Sequence, residues 1–535
     1  MRLSSAAARC AFGVAIAAFL AGCSGGANFA PQNTAGASQH ARHARPLSAF
    51  DTVLYSFTSS KTDGSDPYGS PVIDGNGALY GTSLNTPGGV GLVWKLTPSG
   101  STYKESDLYT FPTNKSQGAY PQAGLVMDSS GALYGTASAG GKGKCTNGCG
   151  VIFKLTPAKG GYTESMLYDF GVKSSDGALP DAALLLVGSE LYGTTQYGGS
   201  GSCSQNGYTG CGTVFELSTK GSGYKIVHNF AGGTKDGEYL QTSVVADKKG
   251  VLYGTTNNGG GGTTGCPAGC GTVFSLTTKG KESVLYRFSG GSADGGIPSR
   301  GRGVYVAPNG SIVGTTQIGG SGGCELGFVS GCGIVFELTK SGKTYKENIV
   351  YTFQGGDDLQ APNEELVADA SGNLYGTGFV AGGGSSCHLG CGGIFKLTAS
   401  KSGYSEGVAY AFQGGNDGDL PYAGVTMDSS GNLFGTTNIG GGASTCAVGC
   451  GTVYEFSPEG KLAPDGRSTG FAGWRSPPSK ARLISTGSTN KEIAQSLGIS
   501  ERTVHRHCES IFSKFGIRSR FQLPAATAPP RSGYG

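Results

Sequence analysis

Residues 125–170 read LVMDSSGALYGTASAGGKGKCTNGCGVIFKLTPAKGGYTESMLYDF. Four apolar segments stand out: Leu125 to Asp128, Ala132 to Ala137, Val151 to Thr156 and Tyr162 to Phe170. A Ser-Ser-Gly turn, a Gly/Cys loop, and Pro157 with a Gly-Gly turn separate them. Short apolar or aromatic runs bounded by turn residues read as β-strands. The connections are short enough for all four to run antiparallel.

The same pattern recurs along the chain. Leu-Tyr-Gly-Thr starts at Leu79, Leu133, Leu191, Leu252 and Leu374, with variants at Ile312 and Leu433, at intervals of 54 to 62 residues. Self-similarity at such a period marks a repeat architecture. Four antiparallel strands repeated radially make one propeller blade each. The last strand of the unit, ending in Phe, occurs at Phe57, Phe111, Phe170, Phe230, Phe288, Phe353 and Phe412. The first copy precedes the first complete repeat, and the last repeat stops after its third strand, Thr452 to Phe456. Val53 to Phe57 is therefore expected to pair beside Thr452 to Phe456 and complete that blade. A ring closed this way leaves no open edge, whereas a solenoid would want capping repeats. The expected fold is all-β: a seven-bladed β-propeller over residues 51–458, closed by its N-terminal strand.

Composition agrees with many turns. Glycine accounts for 99 of 535 residues, about two and a half times ordinary usage. The formal charge of +4 is uneven. From Trp474 onward ten Lys/Arg face three Asp/Glu, so the tail carries +7 and residues 1–473 carry −3. At the other end, Arg2 and Arg9 precede an apolar run from Ala11 to Leu20, too short to span a membrane as a mature helix. It ends in Leu20-Ala21-Gly22-Cys23, which resembles a bacterial lipobox. That resemblance implies a signal peptide over 1–23 and a lipid anchor on Cys23, with Ser24 next to it favouring the outer membrane or cell surface. Residues 24–50, rich in Gly, Ala, Ser and Gln, read as a tether.

Twelve of the fifteen cysteines form local pairs: Cys145/Cys149, Cys203/Cys211, Cys266/Cys270, Cys324/Cys332, Cys387/Cys391 and Cys446/Cys450. Each lies in the loop between the second and third strands of its unit and is expected to act as a local clip. In an exported chain such even pairing reads as disulfides. Zinc would need four converging ligands, which pairs spread around a ring do not supply, so no metal and no cofactor is expected. Histidines are few, with His228 and His388 in the repeats, and no base–nucleophile pair assembles. Gly319-Gly320-Ser321-Gly322-Gly323 fits Gly-x-Ser-x-Gly but lacks the strand-turn-helix setting of a nucleophile elbow. No enzymatic activity is expected.

Two acidic positions repeat. One follows the first strand, at Asp74, Asp128, Asp247, Asp369 and Asp428; the other lies between units, at Asp63, Asp176, Asp236, Asp294 and Asp417, each before Gly. Calcium or glycan binding on one rim is one reading. Turn formation, with Asp bonding its own backbone, explains the spacing without a ligand. Tyr80, Tyr134, Tyr192, Tyr253 and Tyr375 read as core positions.

Leu-Tyr-Gly-Thr-Thr, a Gly-Gly loop and Gly-Thr-Val-Phe-x-Leu together resemble the GloVer tandem-repeat family of exported bacterial proteins, over roughly residues 50–458. The resemblance implies export and repetition and brings no catalytic activity. An unknown surface ligand, protein or glycan, is the expected partner, with the membrane reached through the lipid anchor.

After a linker at 459–479 the grammar turns helical. Thr489-Asn490-Lys491-Glu492 is a capping box, Gly498 makes a turn, and Ser500 caps a second helix. Asn-Lys-Glu-Ile-Ala-x-x-Leu-Gly-Ile-Ser-x-Arg-Thr-Val-x-x-His resembles the LuxR/FixJ-type helix-turn-helix, here over 480–523, with a tail at 524–535. By that resemblance His505, Arg506 and Glu509 face the major groove. Thr503, Lys514, Arg518 and Arg520 lie near phosphates, and Lys491 belongs to the same DNA-binding set. Pro477-Pro478 shortens the family's first helix. The two ends give conflicting addresses, outside the cell and on DNA. Three readings stay open: an exported protein with a vestigial or fused tail, a cytoplasmic DNA-binding regulator whose signal is not used, and a gene-model artefact.

Overall fold

The structure is a computed structural model and describes residues 50–458, apart from 61–62, 87–88, 101, 174, 302, 327–328, 383–386, 388 and 401–402. Cys23, the tether and the whole helix-turn-helix reading, Lys491 to Arg520 included, lie outside the described residues.

Seven sheets each carry the expected four-stranded antiparallel meander. In blade 2 these strands are Val126–Met127, Leu133–Ala137, Val151–Ala158 and Gly161–Asp169. Blade 7 comprises Thr426–Met427, Leu433–Thr437 and Thr452–Ser457. Its fourth strand is Phe50–Ser56, from the other end of the repeat region. The pairing runs antiparallel from Phe50 opposite Ser457 to Ser56 opposite Thr452. The strand begins three residues earlier than Val53. Phe57 follows it and donates its N–H to the Gly451 carbonyl at 3.0 Å. The fold is the seven-bladed β-propeller expected, with closure between its termini.

Apolar packing lies between blades. Phe170, after the fourth strand of blade 2, meets Phe215 in the third strand of blade 3 at 5.2 Å between ring centroids. The equivalent contacts are Phe111–Phe153, Phe230–Phe274, Phe288–Phe336, Phe353–Phe395, Phe412–Tyr454 and Phe57–Trp94. All of these rings are essentially excluded from solvent. Every fourth strand carries a register shift at the same place, such as Met166/Tyr168. A bulge lets two neighbouring side chains serve the interior where plain alternation would expose one. It explains why an apolar residue and an aromatic one, Leu-Tyr in four of the seven blades, stand as a pair before each terminal Phe.

Two glycines show how tightly the seams close. A Cβ on Gly135 would meet the Phe153 ring at 2.5 Å, so the Leu-Tyr-Gly-Thr glycine makes room for the third-strand aromatic. A Cβ on Gly150 (φ +95°) would run into Pro180 of the next blade. Gly451 and Pro67 repeat that contact where the ring closes.

All six expected cysteine pairs are disulfides, with Cα separations of 4.9 to 5.4 Å. They tie the loop between second and third strands, as their spacing indicated. The second cysteine of every pair is also almost wholly buried, and Cys270 and Cys332 show what it packs against. Cys270 packs in one cluster with Val273, Phe288 and Val304, and Cys332 in another with Val335, Phe353 and Leu359. The reason is position: each stands two residues before its third strand, where the chain is already entering the interblade core. Their carbonyls accept the N–H groups of Ile297 and Ala361 of the next blade, each at 2.9 Å. The same contact is made at Cys149, Cys211, Cys391 and Cys450, so all six disulfides anchor the seam as well as the loop.

Candidate functional site on the propeller axis

The chain reaches the axis through one device used seven times. Asp66, Tyr120, Leu179, Tyr239, Ile297, Ala361 and Leu420 all have positive φ, between 51° and 68°. Each donates its N–H to a carbonyl of the preceding blade; Leu179 bonds Cys149 at 2.9 Å and Asp66 bonds Cys450 at 3.0 Å. In every blade but the fourth the next residue is proline, which removes a donor and fixes φ. A left-handed side chain costs roughly 1–2 kcal/mol per residue, so these contacts hold a strained turn in place. The residue beyond the turn is Tyr68, Gln122, Asp181, Gln241, Ser299, Asn363 or Tyr422 in blades 1 to 7.

Blade 5 departs from the rule. Pro298 stands six residues before the apolar Val304, where Pro121 stands four before Leu125. The extra length brings Arg300 to the axial cavity and is held through Gly301, whose carbonyl accepts the Ser243 N–H of blade 4 at 2.6 Å. Gly301 has φ +73°, and a Cβ there would run into the Glu364 carboxylate.

The cavity encloses about 90 Å³ and draws its lining from all seven blades, including Tyr68, Gln122, Asp181, Gln241, Arg300 and Tyr422. Tyr68 and Tyr422 meet with ring centroids 4.2 Å apart, and the Arg300 guanidinium carbon lies 5.4 Å from the Tyr422 centroid. A cation over an aromatic face at this distance is attracted to it. Burial opposes the Arg300 charge, but Tyr422, Tyr68 and Asp181 outweigh it and hold the guanidinium protonated. Burial pushes the Asp181 carboxyl up to about 6, against the opposing pull of Arg300. Its Oδ1 is shielded from solvent with no hydrogen-bond partner. Burial also raises Tyr68 and Tyr239. The result is one fixed cation, Arg300, among three carboxyl side chains, Asp181, Glu364 and Glu365, with tyrosine hydroxyls and glutamine amides around them. Such a set recognises a small anionic or polyhydroxylated group. Ligand pockets that engulf a drug-sized molecule run to about 300–1,000 Å³, so this cavity takes the end of a ligand, not the whole of one.

The repeated aspartates sit elsewhere. Asp74 Oδ1 accepts the N–H groups of Asn76 and Ala78 at 2.8 and 2.9 Å, and Oδ2 accepts the Tyr80 hydroxyl at 3.0 Å. Asp128, Asp247 and Asp369 repeat that set of bonds, and Asp428 its backbone part. At Asp128 and Asp369 these bonds outweigh burial and hold the carboxylate below its ordinary range. The geometry is the turn that the spacing suggested. Tyr80, Tyr134, Tyr192 and Tyr375 are buried, as read, and Tyr253 is half-buried.

The aspartates between blades do more than turn. Asp176 accepts the Tyr168 hydroxyl at 2.9 Å; Asp294 accepts Tyr286, Asp417 accepts Tyr410, and Asp358, missed for want of a following Gly, accepts Tyr351. A glutamate four residues before most of these tyrosines faces the aspartate of the previous seam. Burial and that neighbour push Glu347 up to about 7 and Glu406 to about 8. Burial, Asp107 and Asp63 take Glu105 to about 8. Glu-x3-Tyr-x-Phe was the available signal for this seam. For Arg300 and Asp181 the signal was the residue after each Pro, together with the extra length in blade 5.

No curated protein matches the sequence. Among solved structures, a glycoside hydrolase family 74 enzyme of Niastella koreensis is similar at 15% identity, TM-score 0.39, covering 72% of this chain and 58% of its own. A protein of unknown function from Dyadobacter fermentans follows at 12% identity and TM-score 0.37, covering 77% and 98%. A protein titled as a 6-phosphogluconolactonase of Bacteroides uniformis stands at 13% and 0.38, covering 64% and 84%. Residues 481–525 match the luxR family of bacterial regulatory proteins. Residues 44–267, 145–326 and 263–464 match the Gloeobacter/Verrucomicrobia repeat, and with most of its length so matched the chain belongs to that repeat family.

Proposed function

We propose that the propeller is a non-enzymatic binding module of the cell surface, exported and lipid-anchored at Cys23, which holds the acidic end group of a glycan in its axial pocket. The observation that carries this reading is Arg300. Blade 5 alone spends extra residues at the axis, and they deliver a guanidinium to a pocket of hydroxyls, amides and the carboxyls of Asp181, Glu364 and Glu365. A guanidinium fork pairs with carboxylates in two parallel hydrogen bonds. The pocket admits a uronate-type end group and leaves the rest of the glycan outside. The six disulfides support an oxidising compartment.

An array of acidic and neutral glycans probed with the full chain tests the reading. Binding confined to carboxylate-bearing glycans and lost in Arg300→Gln supports it; equal signals from wild type and variant sink it. The second reading, transcriptional regulation, rests on the luxR-family match at 481–525. Lipid-labelled protein in the membrane pellet favours the first reading, and nucleoid association the second.

A further inference from the structure

One seam breaks the pattern of the others. At six seams the fourth-strand residue is tyrosine: Tyr55, Tyr109, Tyr168, Tyr286, Tyr351 and Tyr410; between blades 3 and 4 it is His228. Where a tyrosine faces an aspartate, its hydroxyl hydrogen-bonds the carboxylate, as at Tyr351–Asp358 with 2.8 Å. At the exceptional seam that bond is missing. His228 Nε2 is shielded from solvent with no hydrogen-bond partner, and so is Glu282 Oε1, which comes from the fourth strand of blade 4. Asp236 belongs to the same cluster, and among the described residues its oxygens accept the backbone N–H groups of Ala231 and Gly237, each at 2.7 Å. One ligand atom from each of the three residues lies within 4.8 Å of the other two.

We propose that His228, Asp236 and Glu282 form a site for one divalent first-row transition-metal cation, with zinc as the reference ion. One imidazole and two carboxylates are an accepted ligand set for such ions, with bonds of about 2.0–2.2 Å. Donors on one ion then stand about 3–4 Å apart, so closing 4.8 Å takes only small side-chain rotations. The backbone bonds to Asp236 fix the carboxylate and leave lone pairs for the metal, which is how supporting bonds orient a ligand. Water would complete the coordination, entering past side chains that are themselves only half-buried. Arg287 is the competing cation near Glu282, but its guanidinium is engaged by the Lys235 carbonyl at 2.6 Å. The site would pin blade 3 to blade 4 where the other seams use a tyrosine.

The substitution that tests this is His228→Tyr, because it installs the side chain that six seams already accommodate. Glu282→Gln is the second variant and preserves shape. Metal-free full chain is titrated with Zn²⁺ against a competing chelator, and with Co²⁺ while the visible d–d absorption is recorded. The two variants retain every other histidine, cysteine and carboxylate, so binding elsewhere on the chain cancels in the difference. The expected result is one equivalent more in the wild type than in either variant. Affinity at that equivalent should fall by more than the roughly 100-fold seen when only an outer-shell partner is lost, and the cobalt spectrum should change accordingly. Equal stoichiometry and affinity in wild type and His228→Tyr overturns the proposal. So does loss in His228→Tyr with none in Glu282→Gln.

Discussion

The seams between blades and the lining of the axis are built from the same seven repeats, yet they treat repetition in opposite ways. At the seams the same contact returns around the ring: an aromatic after the fourth strand against an aromatic of the next blade, at 5.0 to 5.8 Å. At the axis one backbone turn returns seven times, but the residue it presents is Tyr, Gln, Asp, Gln, Ser, Asn or Tyr, with Arg300 added in blade 5. Packing has one solution per geometry and so is repeated. A ligand held on the axis, as proposed, would touch each blade differently, and its recognition would call for unlike residues at like positions. In a repeat protein, internal repetition therefore marks what holds the ring, and internal departure marks where a function is to be sought.

The sharpest way to break this contrast is to exchange large effects for small ones. Phe170→Ala should cost about 3–5 kcal/mol, since it empties a fully buried seam position. Arg300→Gln keeps a polar side chain at the cavity and empties no seam position, so it should cost clearly less than Phe170→Ala while abolishing ligand capture. Chemical denaturation of both variants checks the pair. Comparable losses of stability would mean that the axial residues are structural after all.

A middle-sized effect probes the seams electrostatically. Glu105, Glu347 and Glu406 are pushed up to about 8, 7 and 8, against an ordinary value near 4.3 in the unfolded chain. The folded state thus binds more protons, and stability falls as pH rises between those limits. Below about pH 4.3 both states are protonated and there is no penalty; above about pH 8 the penalty is complete. These side chains are half-exposed, so solvent screening moderates its size. Replacing all three by Gln should flatten the decline of Tm between about pH 5 and pH 8. An unchanged slope in the triple variant would show that these carboxyls do not meet their seam aspartates in solution.

The sequence disclosed the seams far better than the axis, for a physical reason. Repetition of Leu-Tyr-Gly-Thr and of the terminal Phe is visible because each blade solves the same packing problem. Even the displaced strand Phe50–Ser56 was legible, since one unit lacked a fourth strand and a spare stood at the other end. The turn aspartates were read correctly from Asp and Gly alone, because an Asx turn is closed by local bonds. The disulfide pairing was local too, but the burial of Cys270 and Cys332 was not, since it depends on the neighbouring blade. Arg300 and Asp181 share no motif with their counterparts, and nothing local marks them as neighbours across the ring. His228 was visible only as a scarce histidine; its meaning came from lying where six seams have tyrosine. Both departures become readable once the repeats are aligned blade by blade and the exceptions, not the consensus, are followed.

The smallest expected effect tests the turn that delivers the axial residues. Ala361 has φ +51° and is almost fully buried, while Ala137 is fully buried in the second strand of blade 2, where φ is not positive. Changing either to Gly removes one methyl group, worth about 0.8 kcal/mol on burial. It also frees the unfolded chain, at a further loss of about 0.4–1 kcal/mol. At Ala137 nothing offsets these losses, and the variant should be about 1–2 kcal/mol less stable. At Ala361 Gly also relieves the left-handed conformation, which costs an alanine about 1–2 kcal/mol. The two terms nearly cancel, so Ala361→Gly should sit within about 0.5 kcal/mol of wild type. Denaturant midpoints measured side by side distinguish the cases. Equal destabilisation in both variants would mean that the turn carries no strain, and the seven carbonyl contacts that hold it would then be a consequence of the ring and not its clamp.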